Sequence, residues 1–139
     1  MKPRPCTVAD VPWMLEVAAR SYERGTFEPA AASGWLLSLI GNPACLCLRG
    51  EKAVLIAAVS RLPYNPKRRR GSFMPIFSKG NAARELLEMT ATALRWAKDK
   101  GADEFIMGAD TGTDMGPLAR RFGGKPVCPA YVVELANVL

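Results

Sequence analysis

The sequence predicts an α+β domain built on a mixed, mostly antiparallel sheet. Three observations carry this expectation. Two helical patterns open the chain. Three apolar strand segments then follow one another with only turns or a loop between them, and a long amphipathic helix separates the third from a fourth. Consecutive strands joined by turns pair antiparallel, whereas a strand, a helix and a second strand form a crossover that makes those two strands parallel. With 139 residues and 49% apolar content, the chain is expected to form one domain, residues 1–139, with its own core.

The elements follow from local patterns. Asp10 suits a helix N-cap, and Pro12 falls in a first turn, where proline is tolerated. Val11, Met14, Leu15, Ala18 and Tyr22 share one helical face, and Gly25 ends the helix. A second helix starts near Glu28-Pro29 and stops at Gly41-Asn42-Pro43. Strands are expected over Ala44–Arg49 and Ala53–Leu62, with a turn at Gly50-Glu51-Lys52. Pro63 to Gly71 reads as a loop because of its prolines, asparagine and charge, and Ser72 to Phe77 returns as a strand. The long helix carries a stripe of Ala83, Leu86, Leu87, Thr90, Ala91, Leu94, Ala97 and Lys98, and Gly101 closes it. Phe105–Ala109 is a further strand, followed by a polar turn over 110–114. Met115 to Phe122 is a short helix with Leu118, Ala119 and Phe122 inward, and Lys125–Cys128 and Ala130–Leu135 read as a closing strand pair. Trp13, Trp35 and Trp96 sit on helices as packing residues.

Composition narrows the chemistry. There is no histidine, which removes His-based catalysis, Cys-His nucleophile pairs and mixed Cys/His zinc sites, and no metal is expected. Cys6, Cys45, Cys47 and Cys128 have no framework spacing and read as buried reduced thiols, with Cys45 and Cys47 on one strand face. No secretory signal is visible, and no apolar run approaches the roughly 20 residues of a membrane span. A cytoplasmic protein with no membrane partner is the expectation. The net charge of +6 favours an anionic partner: a phosphorylated cofactor, an acidic substrate or nucleic acid.

The stretch Phe73-Met74-Pro75-Ile76-Phe77-Ser78-Lys79-Gly80-Asn81-Ala82-Ala83-Arg84 joins an apolar strand to the long helix through a short polar turn. The first N–H groups of a helix lack internal partners and carry partial positive charge, so such a turn suits a phosphate.

The order of elements resembles the GNAT superfamily of acyl-CoA-dependent N-acyltransferases over nearly the whole chain. Arg4-Pro5-Cys6-Thr7-Val8-Ala9-Asp10 is similar to the family's opening Arg-Pro-x-Thr-x-x-Asp. The tract from Asp103 to Gly124 is similar to its strand, polar turn and short helix. Pro75 matches a family proline, and the pyrophosphate signature falls on Ser78-Lys79-Gly80-Asn81-Ala82-Ala83. Ser78 stands there in place of Arg or Gln, and Asn81 in place of a glycine. The resemblance implies a three-layer fold with helices on both faces of the sheet. It implies acetyl-CoA as co-substrate, a pantetheine arm beside Phe73 and Met74, and a pyrophosphate over Lys79, Gly80, Asn81, Ala82, Ala83 and Arg84. A β-bulge and a splay between the central strand and the next would open the thioester slot.

The expected function is transfer of an acetyl group to an amine acceptor by direct attack. The tyrosine that many relatives use as acid aligns with Ala119, and the family's asparagine aligns near Gly112. Asp110 is the candidate base, Tyr131 a candidate acid with Tyr64 beside it, and Glu28 a candidate for holding the acceptor amine. An alternative is a catalytically inactive binding module of the same fold, contacting nucleic acid or an acidic partner through Lys67-Arg68-Arg69-Arg70. Size and divergence fit a phage-encoded member, and the terminal strand pair fits a homodimer.

Overall fold

The computed structural model describes residues 2–21, 27–108, 115–127, 133 and 135–138. Strand β1 (Arg4–Pro5) leads through a 3-10 turn at Val8–Asp10 into helix α1 (Val11–Ser21), and helix α2 spans Pro29–Ile40. Strands β2 (Cys45–Arg49), β3 (Ala53–Leu62) and β4 (Asn65–Ser78) follow, then helix α3 (Ala83–Asp99), strand β5 (Glu104–Ile106) and helix α4 (Gly116–Arg121). The sheet order is β1-β2-β3-β4-β5, antiparallel except for the parallel β4–β5 pair. The expected α+β class and the mixed, mostly antiparallel sheet are what the chain adopts.

Alternation along the strands sends side chains to two cores. Cys47, Val54, Ile56 and Phe77 meet α1 and α2 through Met14, Val17, Ala18, Leu36 and Leu39. Leu48, Leu55, Ala57, Phe73 and Ile76 meet α3 and α4 through Met89, Ala93 and Met115. Helices therefore cover both faces. Cys45 and Cys47 do share a face, and Cys6, Cys45 and Cys47 are free thiols. Burial pushes Cys6 up to about 12 and Cys47 up to about 11, so neither is a thiolate at neutral pH.

A register shift breaks the β3–β4 ladder. Leu55 faces Ile76 and Ala57 faces Phe73, so β4 carries one extra residue over the same span. The extra residue inverts the alternation: Phe73 and Ile76, three apart, lie on the α3 face, while Met74 and Phe77 lie on the α1 face.

Several expectations are corrected. The stretch read as a loop, Pro63 to Gly71, is mostly the first half of β4, with only a tight turn before Asn65. A second shift, from Arg61↔Arg69 to Leu62↔Asn65, absorbs residues 66–68, and pairing on both sides outweighs the turn-like composition. The buried stripe of α3 is rotated: Met89, Thr90, Ala93 and Ala97 are buried, whereas Ala83 and Lys98 are exposed. Phe122 is exposed, because α4 ends before it and Gly123 turns away with φ +77°. At the closing pair, Lys125 to Val127 has no regular structure and Leu135–Asn137 is a 3-10 turn. Residues 128–132 and 134 lie outside the described residues, as do Tyr22, Gly25 and the 109–114 turn.

Asp10 is not a simple N-cap. Its carboxylate accepts from both terminal nitrogens of Arg4 at 2.9 Å, from Arg49 at 3.0 Å and from the Thr7 N–H at 2.7 Å. The Arg49 guanidinium also lies 3.6 Å from the Trp13 ring centroid. This buried cluster ties β1, the 3-10 turn, β2 and α1 together. Arg4 above all, then Thr7 and Arg49, holds the Asp10 carboxyl well below the usual carboxylate range. A depressed folded pKa contributes stability that is present above the ordinary value, about 4, and is lost as pH falls below it. Asp10→Ala should therefore cost about 3 kcal/mol by denaturant unfolding at pH 7. The same variant should lose part of the wild-type fall in Tm between about pH 5 and pH 2; a parallel fall in both proteins would contradict this assignment.

Candidate active site

The cleft forms where β4 hands the chain to α3. The Lys79 N–H donates to the Lys52 carbonyl at 2.8 Å, which holds the end of β4 against the β2–β3 turn. Gly80 then takes φ +69°, a conformation that costs residues with a Cβ. Asn81 Oδ1 accepts from the Ala83 N–H at 3.2 Å, capping α3 from outside its first turn. Among the described residues nothing accepts from the Arg84 and Glu85 N–H groups, which are left at the positive end of a 17-residue helix. The Glu85 side chain instead accepts from the Lys52 and Ala53 N–H groups.

Beside this turn lies a cleft of about 420 Å³. Its walls are the end of α1 (Arg20, Ser21), the end of β4 (Ile76, Ser78), the first turns of α3 (Ala83, Leu86, Leu87) and α4 (Met115, Pro117, Leu118, Arg121). Volumes of this order hold small ligands and cofactors. The cleft has an apolar floor with basic side chains at its margins.

The parallel β4–β5 ladder ends at Ser72↔Ile106. Beyond Ser72 no described strand pairs with β4 on that side, and this is where β4 bulges. Among the described residues no strand pairs with Phe73 and Met74 on the β5 side, an edge of the kind an extended ligand can join. Deeper in, Gly71 is packed so closely that a Cβ there would stand 2.5 Å from the Phe105 ring. Phe105 in turn meets Phe73 edge to face, with ring centroids 5.0 Å apart.

The candidate residues fall into groups. Ala83 lines the cleft, Gly80 and Asn81 shape the turn, and Ala82 is buried beneath it. Phe73 packs towards α3, and Met74 towards α1 and α2. Arg84 is exposed on the first turn of α3. Lys79 turns towards α1, its ammonium 3.0 Å from Glu16 and 5.9 Å from the Trp13 ring centroid. Glu28 is occupied as the N-cap of α2, accepting from Ala31 at 2.6 Å and Ala30 at 3.3 Å. Asp110 and Tyr131 lie outside the described residues.

Two basic residues of the cleft, Arg20 and Arg121, are not among the sequence candidates. Their signal was a charge next to an apolar helix face, which many solvated arginines share. Of the run Lys67–Arg70, Arg69 and Arg70 are engaged within the fold. Arg69 donates to the Lys100 carbonyl at 3.0 Å, and Arg70 lies 3.5 Å from Glu104 and 3.3 Å from the Tyr64 hydroxyl.

No model of a known protein family matches the sequence, and no curated protein matches it. Solved structures do match. A predicted acetyltransferase of Clostridium acetobutylicum, solved with acetyl-CoA, superposes with TM-score 0.74 at 12% identity over 97% of this chain and 96% of its own. The aminoglycoside 6'-N-acetyltransferase AAC(6')-IG of Acinetobacter haemolyticus gives 0.72 at 17% identity, over 96% and 97%. A transcriptional regulator of Bacillus halodurans gives 0.76 at 11%, over 96% and 98%. The chain has the fold of the GNAT acetyltransferases.

Gly80→Ala should cost roughly 1–2 kcal/mol in unfolding free energy, from backbone strain alone. Nothing lies within 4 Å of the position its Cβ would take. An unchanged midpoint would show that the turn does not need the left-handed conformation.

Proposed function

We propose that the chain is one cytoplasmic domain that transfers an acetyl group from acetyl-CoA to an amine by direct attack. The observation that carries this is the cleft at the start of α3, set beside a bulged β4 whose pairing with β5 stops at Ser72. The same fold holds acetyl-CoA in the Clostridium acetobutylicum protein and serves amine acetylation in the Acinetobacter enzyme. In this reading the pantetheine arm lies along Phe73 and Met74. The pyrophosphate meets the turn from Lys79 to Arg84, where the Arg84 and Glu85 N–H groups have no partner among the described residues. Free Cys6, Cys45 and Cys47 agree with a reducing compartment.

The chemistry asks four things of the protein. It must hold the thioester, receive a neutral amine, stabilise the tetrahedral oxyanion and protonate the departing thiolate. The Met74 N–H at the bulge is the backbone donor assigned to the oxyanion, since Pro75 beside it has none. Asp110 is assigned as the base that takes the proton of the attacking amine, and Tyr131 as the acid that protonates the thiolate. Glu28 is retained for the acceptor only if it can leave its cap on α2. The nucleic-acid reading has less support, because Arg69 and Arg70 already have partners within the fold.

Calorimetry with acetyl-CoA tests the donor, and saturable binding at micromolar to low millimolar ligand is expected. No heat at millimolar ligand would reject the donor. Turnover measured by release of free CoA over a panel of amines should fall at least about 100-fold in Asp110→Asn. Full activity in that variant would remove Asp110 from the mechanism.

A further inference from the structure

The cleft has a charge arrangement that the turn alone does not explain. Ser78 supplies no cation, and the Lys79 ammonium is held by Glu16 at 3.0 Å. Two arginines from separate elements instead line the cleft: Arg20 in the last turn of α1 and Arg121, the last residue of α4. Leu86, Leu87 and Leu118 line the same cleft, an apolar lining that would leave a phosphate poorly solvated.

Arg20 is also held in reserve. Its guanidinium lies 3.6 Å from Glu16, the carboxylate that pairs with Lys79. Both side chains of the Arg20–Glu16 pair are more than half exposed, and such pairs are weak. A phosphate group offers a guanidinium a charge-assisted, bidentate contact that an exposed carboxylate at 3.6 Å does not.

We propose that Arg20 and Arg121, from two different helices lining the cleft, close on the phosphate groups of the acyl donor. Glu16 holds Arg20 until the anion displaces it. The inference rests on the acyl-CoA reading and deepens it, by adding side-chain charge from α1 and α4 to the backbone donors of the strand-to-helix turn.

The test is acetyl-CoA affinity by calorimetry at low and high salt. Arg20→Ala and Arg121→Ala should each weaken binding roughly tenfold at low salt. Each should also flatten the salt dependence, since a screened contact has been removed. Arg95→Ala on the exposed face of α3 removes the same charge and should change affinity less than twofold. Glu16→Gln should tighten binding, because it releases Arg20 and Lys79 together. Arginine variants that bind as Arg95→Ala does, or that bind more weakly with an unaltered salt dependence, overturn the clasp while leaving the acyl-CoA reading in place. A wild-type protein that does not bind acetyl-CoA overturns both.

Discussion

One extra residue in β4 governs the arrangement of the cleft. A strand with strict alternation would keep Phe73 and Ile76 on opposite faces. The bulge brings both onto the α3 side, where Ile76 forms part of the cleft wall and Phe73 supports Phe105. It also lies next to the point where pairing with β5 ends, while β4 keeps its pairing to β3 on either side of the shift. The helix that follows starts at the rim of the opening. A bulge thus does the work of both a hinge in the sheet and an aiming device for side chains.

The second constraint is the buried carboxylate of Asp10. Arg4 and Arg49 approach it from β1 and β2, and Thr7 from the 3-10 turn. Arg49 then stacks on Trp13 of α1. The edge of the sheet is fixed to the first helix by charge rather than by apolar packing alone. A buried carboxylate must have partners, and here each partner belongs to a different element.

Much of the fold was legible in the sequence, because helix and strand periods and glycine stops report backbone geometry directly. Gly80, Gly101 and Gly123 all take positive φ, and Gly101 closes α3 as its position suggests. The failures have physical causes. Pro66 and the four basic residues after it look like a loop, yet β3 and β5 pair with Arg69 and Arg70, and the sheet's hydrogen bonds outweigh local composition. The α3 stripe was misplaced because Ala, Leu and Met flank one another on several faces, and contact with the sheet selects Met89 and Ala93. At the site, the turn was visible as a strand running into a helix, with Gly80 at its bend and Ala83 opening α3. The direction of Lys79 was not, since its partner Glu16 is 63 residues away in the chain. Arg20 and Arg121 were hidden for the same reason: a cleft wall is a property of packing between helices.

The indole of Trp13 lies between two cations, Arg49 at 3.6 Å and Lys79 at 5.9 Å from its centroid. One belongs to the rigid ion cluster at the sheet edge, and the other to the turn that opens the cleft. Indole emission responds to nearby charge, so this ring is placed to sense a change in the position of either cation. Any rearrangement of the turn that draws Lys79 away would change the light Trp13 emits. The molecule carries its own reporter for events in the cleft, wired through a side chain that faces away from it.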